Sequence, residues 1–358
     1  MLQPVSLSEN RTEVVAAPGV SVVICCYNSA ARLPKTLVHL AAQQVDADIT
    51  WEVIVIDNAS TDNTAKVAEA SWPQDSPAPL RVVYESQQGL SHARRRGFAE
   101  AKYEIVSMVD DDNWVCPVWV QVIAELMAEH PEVGACGGIN EAVCEITPPG
   151  WFEELKGMYA VGPQGQARGD VTISRGLLWG AGMSVRKSAW RQLIDNGFHS
   201  LAVDRQGASL LSGGDTELCL ALRLAGWHLW FEPRLHLYHF LPQGRLNWVY
   251  LRRLYHGSGA STVGHDPYYF AMKQERTGLL KLARRVRESW FWQLIIMLKE
   301  LLIRPLKLLQ SFYSVREGDN AVLDIESRLG RLSALLAKRN TYTQSVQEVR
   351  NACWHKNQ

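Results

Sequence analysis

Asp110, Asp111 and Asp112 stand in a row directly after the apolar run 105–109. Three adjacent carboxylates repel one another unless a cation sits among them. A divalent ion held there bridges two phosphates of a nucleotide and neutralises a departing diphosphate. Taken alone, the same triplet also reads as a solvated acidic turn. Another carboxylate, Asp57, closes the apolar run 52–56. It can accept hydrogen bonds from a base N–H or from ribose hydroxyls. It can equally cap the next helix together with Ser60 and Thr61.

The elements that must position these groups follow from hydrophobic period. Apolar runs 20–26, 52–56, 81–84 and 105–109 read as strands, separated by helical patterns at 32–44, 64–70 and 91–101. That alternation implies a parallel sheet with helices on both faces. Ligands then bind beyond the carboxyl ends of the strands. Those ends carry Tyr27-Asn28, Asp57 and Asp110 to Asp112, so three polar clusters converge on one edge and outweigh the solvated-turn reading. Further on, 216–225 is helical and stops at Gly226, where glycine suits a helix end, and 227–231 reads as a short strand. The stretch 140–211 mixes Gly, Pro and Trp without a clear period. An amphipathic helical pattern over 276–313 breaks at Pro305, and a polar helical tail follows.

Bulk properties narrow the function. The 358 residues contain 37 basic and 37 acidic side chains, a balance that argues against a nucleic-acid binder. Seven cysteines without CxxC spacing suggest reduced thiols in the cytosol rather than a disulfide framework or a zinc site. Residues 1–18 form a polar leader that lacks the apolar centre of a signal peptide. No uninterrupted apolar run reaches the roughly 18 residues of a membrane-spanning helix.

In order and spacing, Tyr27-Asn28, Asp57-Asn58-Ala59-Ser60-Thr61-Asp62, Gly89-Leu90-Ser91-His92-Ala93-Arg94 and Asp110-Asp111-Asp112 resemble the family 2 glycosyltransferases with the GT-A fold. The resemblance covers roughly residues 19–265. It implies an α/β fold, a GT-A-like doubly wound, mostly parallel sheet, with 266–358 as a helical C-terminal appendage. It also implies that Tyr27, Asn28 and Asp57 bind the nucleotide base and ribose and that Arg94 lies near base and phosphates. By the same resemblance Asp110, with Asp111 beside it, contacts the ribose or metal shell, and Asp112 ligates Mn²⁺ or Mg²⁺. Arg95 stands where the family often has Asn, which leaves Arg94, Arg95 and Arg96 to compete for the phosphate side. The segment 179–186, with Gly182 in it, resembles the glycine-rich segment that lines the sugar pocket. Ser212-Gly213-Gly214-Asp215-Thr216-Glu217 resembles the catalytic segment, with Gly214 replacing the usual Glu. Asp215 then takes the acceptor proton, Glu217 is the second candidate, and helix capping is the competing role for Asp215. Of His236 and His239, the spacing of His239 best fits a histidine that completes the metal shell.

The resemblance implies an inverting transfer of a sugar from a nucleoside-diphosphate donor to a hydroxyl, in glycan or cell-envelope polysaccharide synthesis. Two rivals are a sugar nucleotidyltransferase and a non-catalytic nucleotide-sugar-binding module. The first loop, Cys25 to Ser29, lacks the glycines of a nucleotidyltransferase phosphate loop, and the retained carboxylates count against the module. Trp151, Trp179 and Trp227 are candidate acceptor platforms, since aromatic faces stack on sugar rings. Over 284–309, Trp290, Phe291 and five Leu or Ile residues alternate with Arg284, Arg285, Arg287, Lys299, Arg304 and Lys307. That pattern suits either packing on the domain or lying on an anionic leaflet. The expected setting is cytoplasmic, peripheral on the inner-membrane face, with a saccharide or lipid-linked saccharide acceptor.

Overall fold

The computed structural model describes residues 17–202, 210, 212–273, 284–303 and 316–355. The leader residues 1–16, Pro305 and most of the break around it lie outside them. Strand β2 (Trp51–Asp57) is buried along its whole length, as a strand flanked on both sides and covered on both faces must be. It runs parallel to β1 (Ala17–Cys26) and β3 (Leu80–Tyr84), and β1 runs parallel to β4 (Tyr103–Met108). Helices α1 (Leu33–Ala41), α2 (Thr64–Ser71) and α3 (Leu90–Glu100) provide the crossovers. Successive residues of β1 serve opposite faces. Val22 and Ile24 belong to the core that holds Leu37 of α1 and Trp119 and Ile123 of α4 (Trp119–Glu129), whereas Val23 belongs with Ala93 and Phe98 of α3. The expected doubly wound arrangement is present.

The second half adds β5 (Asn113–Val115), β6 (Val133–Cys144), α5 (Phe152–Leu155), β7 (Gly162–Pro163), β8 (Gly169–Asp170), β9 (Ser184–Arg186), α6 (Lys187–Asp195), α7 (Gly214–Leu224) and β10 (His228–Leu241). The strand order is β3-β2-β1-β4-β9-β6-β10-β5, with β7 on β6 and β8 on β10. Strands β9 and β5 run against their neighbours. The stretch 140–211 has no legible period because, past the end of β6, its described elements are two to nine residues long. Strand β10 extends well past the expected 227–231. Its pairing with β6 shifts register between Phe231 and His236, around Pro233, and this hides its continuity in the sequence.

Among the described residues four helices follow: α8 (Trp248–Ala271), α9 (Trp290–Leu302), α10 (Asn320–Ala337) and α11 (Tyr342–Arg350). Helix α8 runs without a break through residue 265, where the catalytic region was expected to end. The expected polar tail is instead packed: Val322, Leu323, Ile325, Leu335, Tyr342 and Val346 are buried, and Trp354 joins Tyr268 and Phe198 in the main core. Asp266 of α8 is bonded by Arg331 at 2.8 Å and by the Tyr342 hydroxyl at 2.8 Å. No helix among the described residues is long and apolar enough to cross a membrane.

Helices α8 and α10 cross backbone to backbone. A Cβ on Gly259 would sit 1.9 Å from the Ser327 carbonyl oxygen, and one on Gly330 would sit 1.9 Å from that of His256. Neither carbonyl can move without displacing a helix, so a side chain at either position overpacks the crossing. Gly330→Val is expected to lower unfolding stability by about 1–3 kcal/mol or more. Chemical denaturation checks this, and a change within about 0.5 kcal/mol, the range of neutral surface substitutions, contradicts the packing argument.

Candidate functional site

The loops at the carboxyl ends of β1, β2 and β4 meet the start of α7 and one face of α8 around a cavity of about 540 Å³. Side-chain bonds between the loops set its nucleotide-side rim. Asn28, in the left-handed region that asparagine tolerates, accepts the Thr61 N–H at 2.8 Å through its side-chain oxygen. Its own N–H donates to Ser60 Oγ at 3.0 Å. Asn58 accepts the Gly89 N–H at 2.7 Å and donates to the Gln87 carbonyl at 2.7 Å. Three loops are thus braced as one unit.

Two residues expected at the base and ribose do other work. Asn28 does not line the cavity, because its side chain holds the second loop. Asp57 does not line it either: its Oδ1 accepts the Ser60 N–H at 3.1 Å, the loop-capping alternative raised by the sequence. The lining comes from Tyr27, 42% exposed, and from Asn58, which sequence reasoning had left unassigned. Cys25 also faces the cavity, and burial pushes its thiol up to about 12, so it is neutral at physiological pH.

Arg94 faces the cavity from α3, whereas Arg95 and Arg96 are exposed and Arg96 pairs with Glu100 at 3.0 Å. The helical period decides among the three arginines. Arg94 lies against Gly180, where a Cβ would come within 2.7 Å of its guanidinium and 3.3 Å of the Asp215 carboxylate. Gly180 and Ala181 line the cavity. Gly182 does not. It turns the chain at φ +76 and its missing Cβ would strike Leu237 and Trp119, so its glycine serves core packing.

All three acids of the triplet reach the cavity lining, but with different partners. Asp111 gives its carboxylate to Arg32 at 2.6 Å, which ties the loop to α1. Burial and the neighbouring Asp112 raise the Asp111 pKa, with Arg32 opposing. Asp112, 3% exposed, accepts from Asn113 Nδ2 at 3.2 Å and lies 3.6 Å from His239 Nε2 through Oδ1. Its Oδ2 pairs with Arg245 Nη1 at 3.1 Å. The antiparallel pairing of β10 with β5 sets His239 opposite Asn113, which explains the contact with Asp112. His236 points elsewhere and pairs with Glu141 at 3.0 Å. Arg245, on the turn after β10, is a cavity cation that the sequence did not single out. Burial works against its charge, but Asp112 and the other acids hold its pKa above the ordinary value.

Asp215 enters the cavity from the first turn of α7, where the helix dipole favours an anion. Its Oδ2 accepts the Gly180 N–H at 2.8 Å and its Oδ1 the Thr216 N–H at 2.9 Å. Glu217 is not at the site. It is 1% exposed and accepts from the Tyr268 hydroxyl at 2.6 Å, from the N–H groups of Leu201 and Ala202, and from Ser200 Oγ. Two residues on from Asp215, the helix turns it into the core beneath α8.

The opposite wall comes from α8, whose Tyr250, Leu254, Ser258, Thr262 and His265 face the cavity at nearly helical spacing. Of the three tryptophans expected as acceptor platforms, only Trp179 lines the cavity, with Arg175 stacked on its ring at 4.4 Å. Trp151 donates to Glu317 at 3.1 Å, and Trp227 donates to Gln192 at 2.7 Å and packs on Gly134.

Among the described residues no three His, Cys, Asp or Glu side chains are placed to enclose a metal ion. Asp112 and His239 are two donors on an open cavity. That set fits a divalent cation which takes its remaining oxygens from water and a diphosphate.

The sequence model of Glycosyl transferase family 2 matches residues 21–190. That stretch, just under half of the chain, is similar to glycosyl transferase family 2, and the doubly wound, mostly parallel sheet has the architecture the resemblance implies. Putative glycosyltransferase EpsH of Bacillus subtilis (strain 168) is 24% identical over 119 residues, 33% of each chain. The poly-beta-1,6-N-acetyl-D-glucosamine synthase of Staphylococcus aureus (strain COL) is 22% identical over 284 residues, 78% of this chain and 64% of that one. The alignments with EpsH and comparable curated relatives span about a third of those proteins. Among solved structures, S. aureus TarS 1-349 in complex with UDP aligns with a TM-score of 0.46 at 14% identity, over 93% of this chain and 90% of that one.

The buried Glu217 network predicts a stability phenotype. Glu217→Leu strands two backbone N–H groups and two hydroxyls, each worth about 1–3 kcal/mol when left unsatisfied. Urea unfolding is expected to show a loss of about 3 kcal/mol or more. A loss below about 1 kcal/mol, less than one stranded donor, contradicts the assignment.

Proposed function

We propose that the chain is a metal-dependent, inverting glycosyltransferase that moves a sugar from a nucleoside-diphosphate donor to a hydroxyl acceptor. One observation carries this reading: Asp112, His239, Arg94, Arg245 and Asp215 line one cavity. A diphosphate needs cations, an attacking hydroxyl needs a base, and both are within the same 540 Å³. Tyr27 and Asn58 take the nucleoside end, Trp179 and Gly180 the sugar, and the α8 face the acceptor.

The acceptor hydroxyl gives its proton to Asp215 as its oxygen attacks the anomeric carbon. The bond from that carbon to the diphosphate oxygen breaks, and the configuration inverts. The two backbone N–H bonds hold the Asp215 carboxylate in one orientation, and each oxygen keeps a lone pair for the proton. Charge gathering on the leaving diphosphate is met by Arg94 and Arg245. Mn²⁺ or Mg²⁺, held by Asp112 and His239 with Asp110 nearby, would add the divalent charge that stabilises this leaving group. Glycan or envelope-polysaccharide assembly is in keeping with what relatives such as the poly-N-acetylglucosamine synthase are named for. Seven free thiols suit the reducing cytoplasm.

A panel of nucleotide sugars, scored by nucleoside diphosphate release with Mn²⁺, Mg²⁺ or EDTA, tests the reading. Release from one donor, lost with EDTA and in Asp112→Ala, is expected. Asp215→Asn is expected to lower turnover by about 100-fold or more while donor binding persists. Near-normal turnover in Asp215→Asn removes it as the base. Failure of every donor both to react and to bind, by calorimetry, refutes the transfer.

A further inference from the structure

Among the described residues, helix α9 is held down along one side only. Met297 and Leu301 are buried, and the Trp290 indole N–H donates to the Leu335 carbonyl at 2.7 Å. On the other side Phe291, Ile295, Leu298 and Leu302 follow one another at spacings of four, three and four residues. Trp292, Ile296 and Ile303 form a second line beside them. All seven are exposed, Phe291 by 64% and Leu302 by 76%. At 100° per residue they occupy roughly 160° of the helix surface. Soluble monomers rarely leave so large a contiguous apolar face in water.

The charges around this face point to its occupant. Arg285 and Arg287 are exposed just before the helix, and Lys299 is exposed between the two apolar lines. The nearby acids are all engaged in ion pairs: Glu300 and Asp324 share Arg328, and buried Glu288 pairs with Arg284 and Arg350. The face is therefore apolar with a positive margin. A second copy of this chain would bring Lys299 against an equivalent apolar or cationic surface, which desolvates its ammonium without a partner. At a bilayer the Lys299 stem lies along the apolar layer and its ammonium reaches the lipid phosphates. Thirteen residues span about 20 Å, too short to cross a hydrocarbon core of about 30 Å but suited to lie in its surface.

We propose that α9 seats the protein on an anionic lipid bilayer, lying in the headgroup plane with Phe291, Ile295, Leu298 and Leu302 immersed. This inference goes beyond the transfer chemistry and does not depend on it.

Co-sedimentation of the full chain with phosphatidylcholine vesicles, with and without phosphatidylglycerol, tests it. Binding to the phosphatidylglycerol vesicles that weakens with salt is expected. Phe291→Ser with Leu302→Ser is expected to lower partitioning by about a hundredfold or more. Arg285→Glu with Arg287→Glu should lower it by about tenfold or more. Both variants should keep the parent melting temperature, because all four side chains are exposed. Absence of binding to anionic vesicles at low salt overturns the proposal. So does binding that survives the serine pair, or a dimer in analytical ultracentrifugation that the serine pair abolishes while vesicle binding is absent.

Discussion

The Asp112 carboxylate is almost wholly removed from water and stands beside two more aspartates. A buried charge persists only with partners, and here each partner comes from a different part of the chain. Asn113 is adjacent, His239 is brought in by the pairing of β10 with β5, and Arg245 arrives on the turn that follows β10. Arg32 answers Asp111 and thereby anchors α1. The acid run thus organises the floor of the cavity, and the long strand β10 exists in the position it does partly to deliver two of the compensating groups.

Many polar residues at the strand ends act on neighbouring loops before they can act on a ligand. Asn28 and Asp57 bond the loop at 60–61, and Asn58 bonds the loop at 87–89. Loops at strand ends lack the ladder bonds that hold strands, so side chains must satisfy their backbone groups. A rim braced in this way is preorganised: Tyr27 and Asn58 face the cavity without having to be ordered by whatever fills it.

The C-terminal helices are part of the site as well as a support. One face of α8 forms a cavity wall, while its other faces carry the close glycine crossing with α10 and the bonds from Asp266 to Arg331 and Tyr342. Glu217 on α7 and Tyr268 on α8 lock the two helices together next to Asp215. Packing around α10 and α11 therefore bears on the position of the carboxylate that would take the proton. Helix α9 is joined to this assembly by one edge and leaves its apolar face outward.

Local patterns in the chain already determined the first half. Unbroken apolar runs, helical period and acids at the run ends specify the parallel strands and the edge that carries Asp57, Asp110 and Asp112, because strand ends follow from spacing alone. The roles of Arg94, Asp215 and His239 came from the resemblance rather than from period. What spacing does not contain is how distant segments come together. Arg245 next to Asp112, Gly180 rather than Gly182 under Arg94, the α8 wall, and Glu217 turned inward two residues from Asp215 all depend on packing between segments far apart in the chain. Hydrophobic period says which face of an element is buried, and only tertiary structure decides what it is buried against.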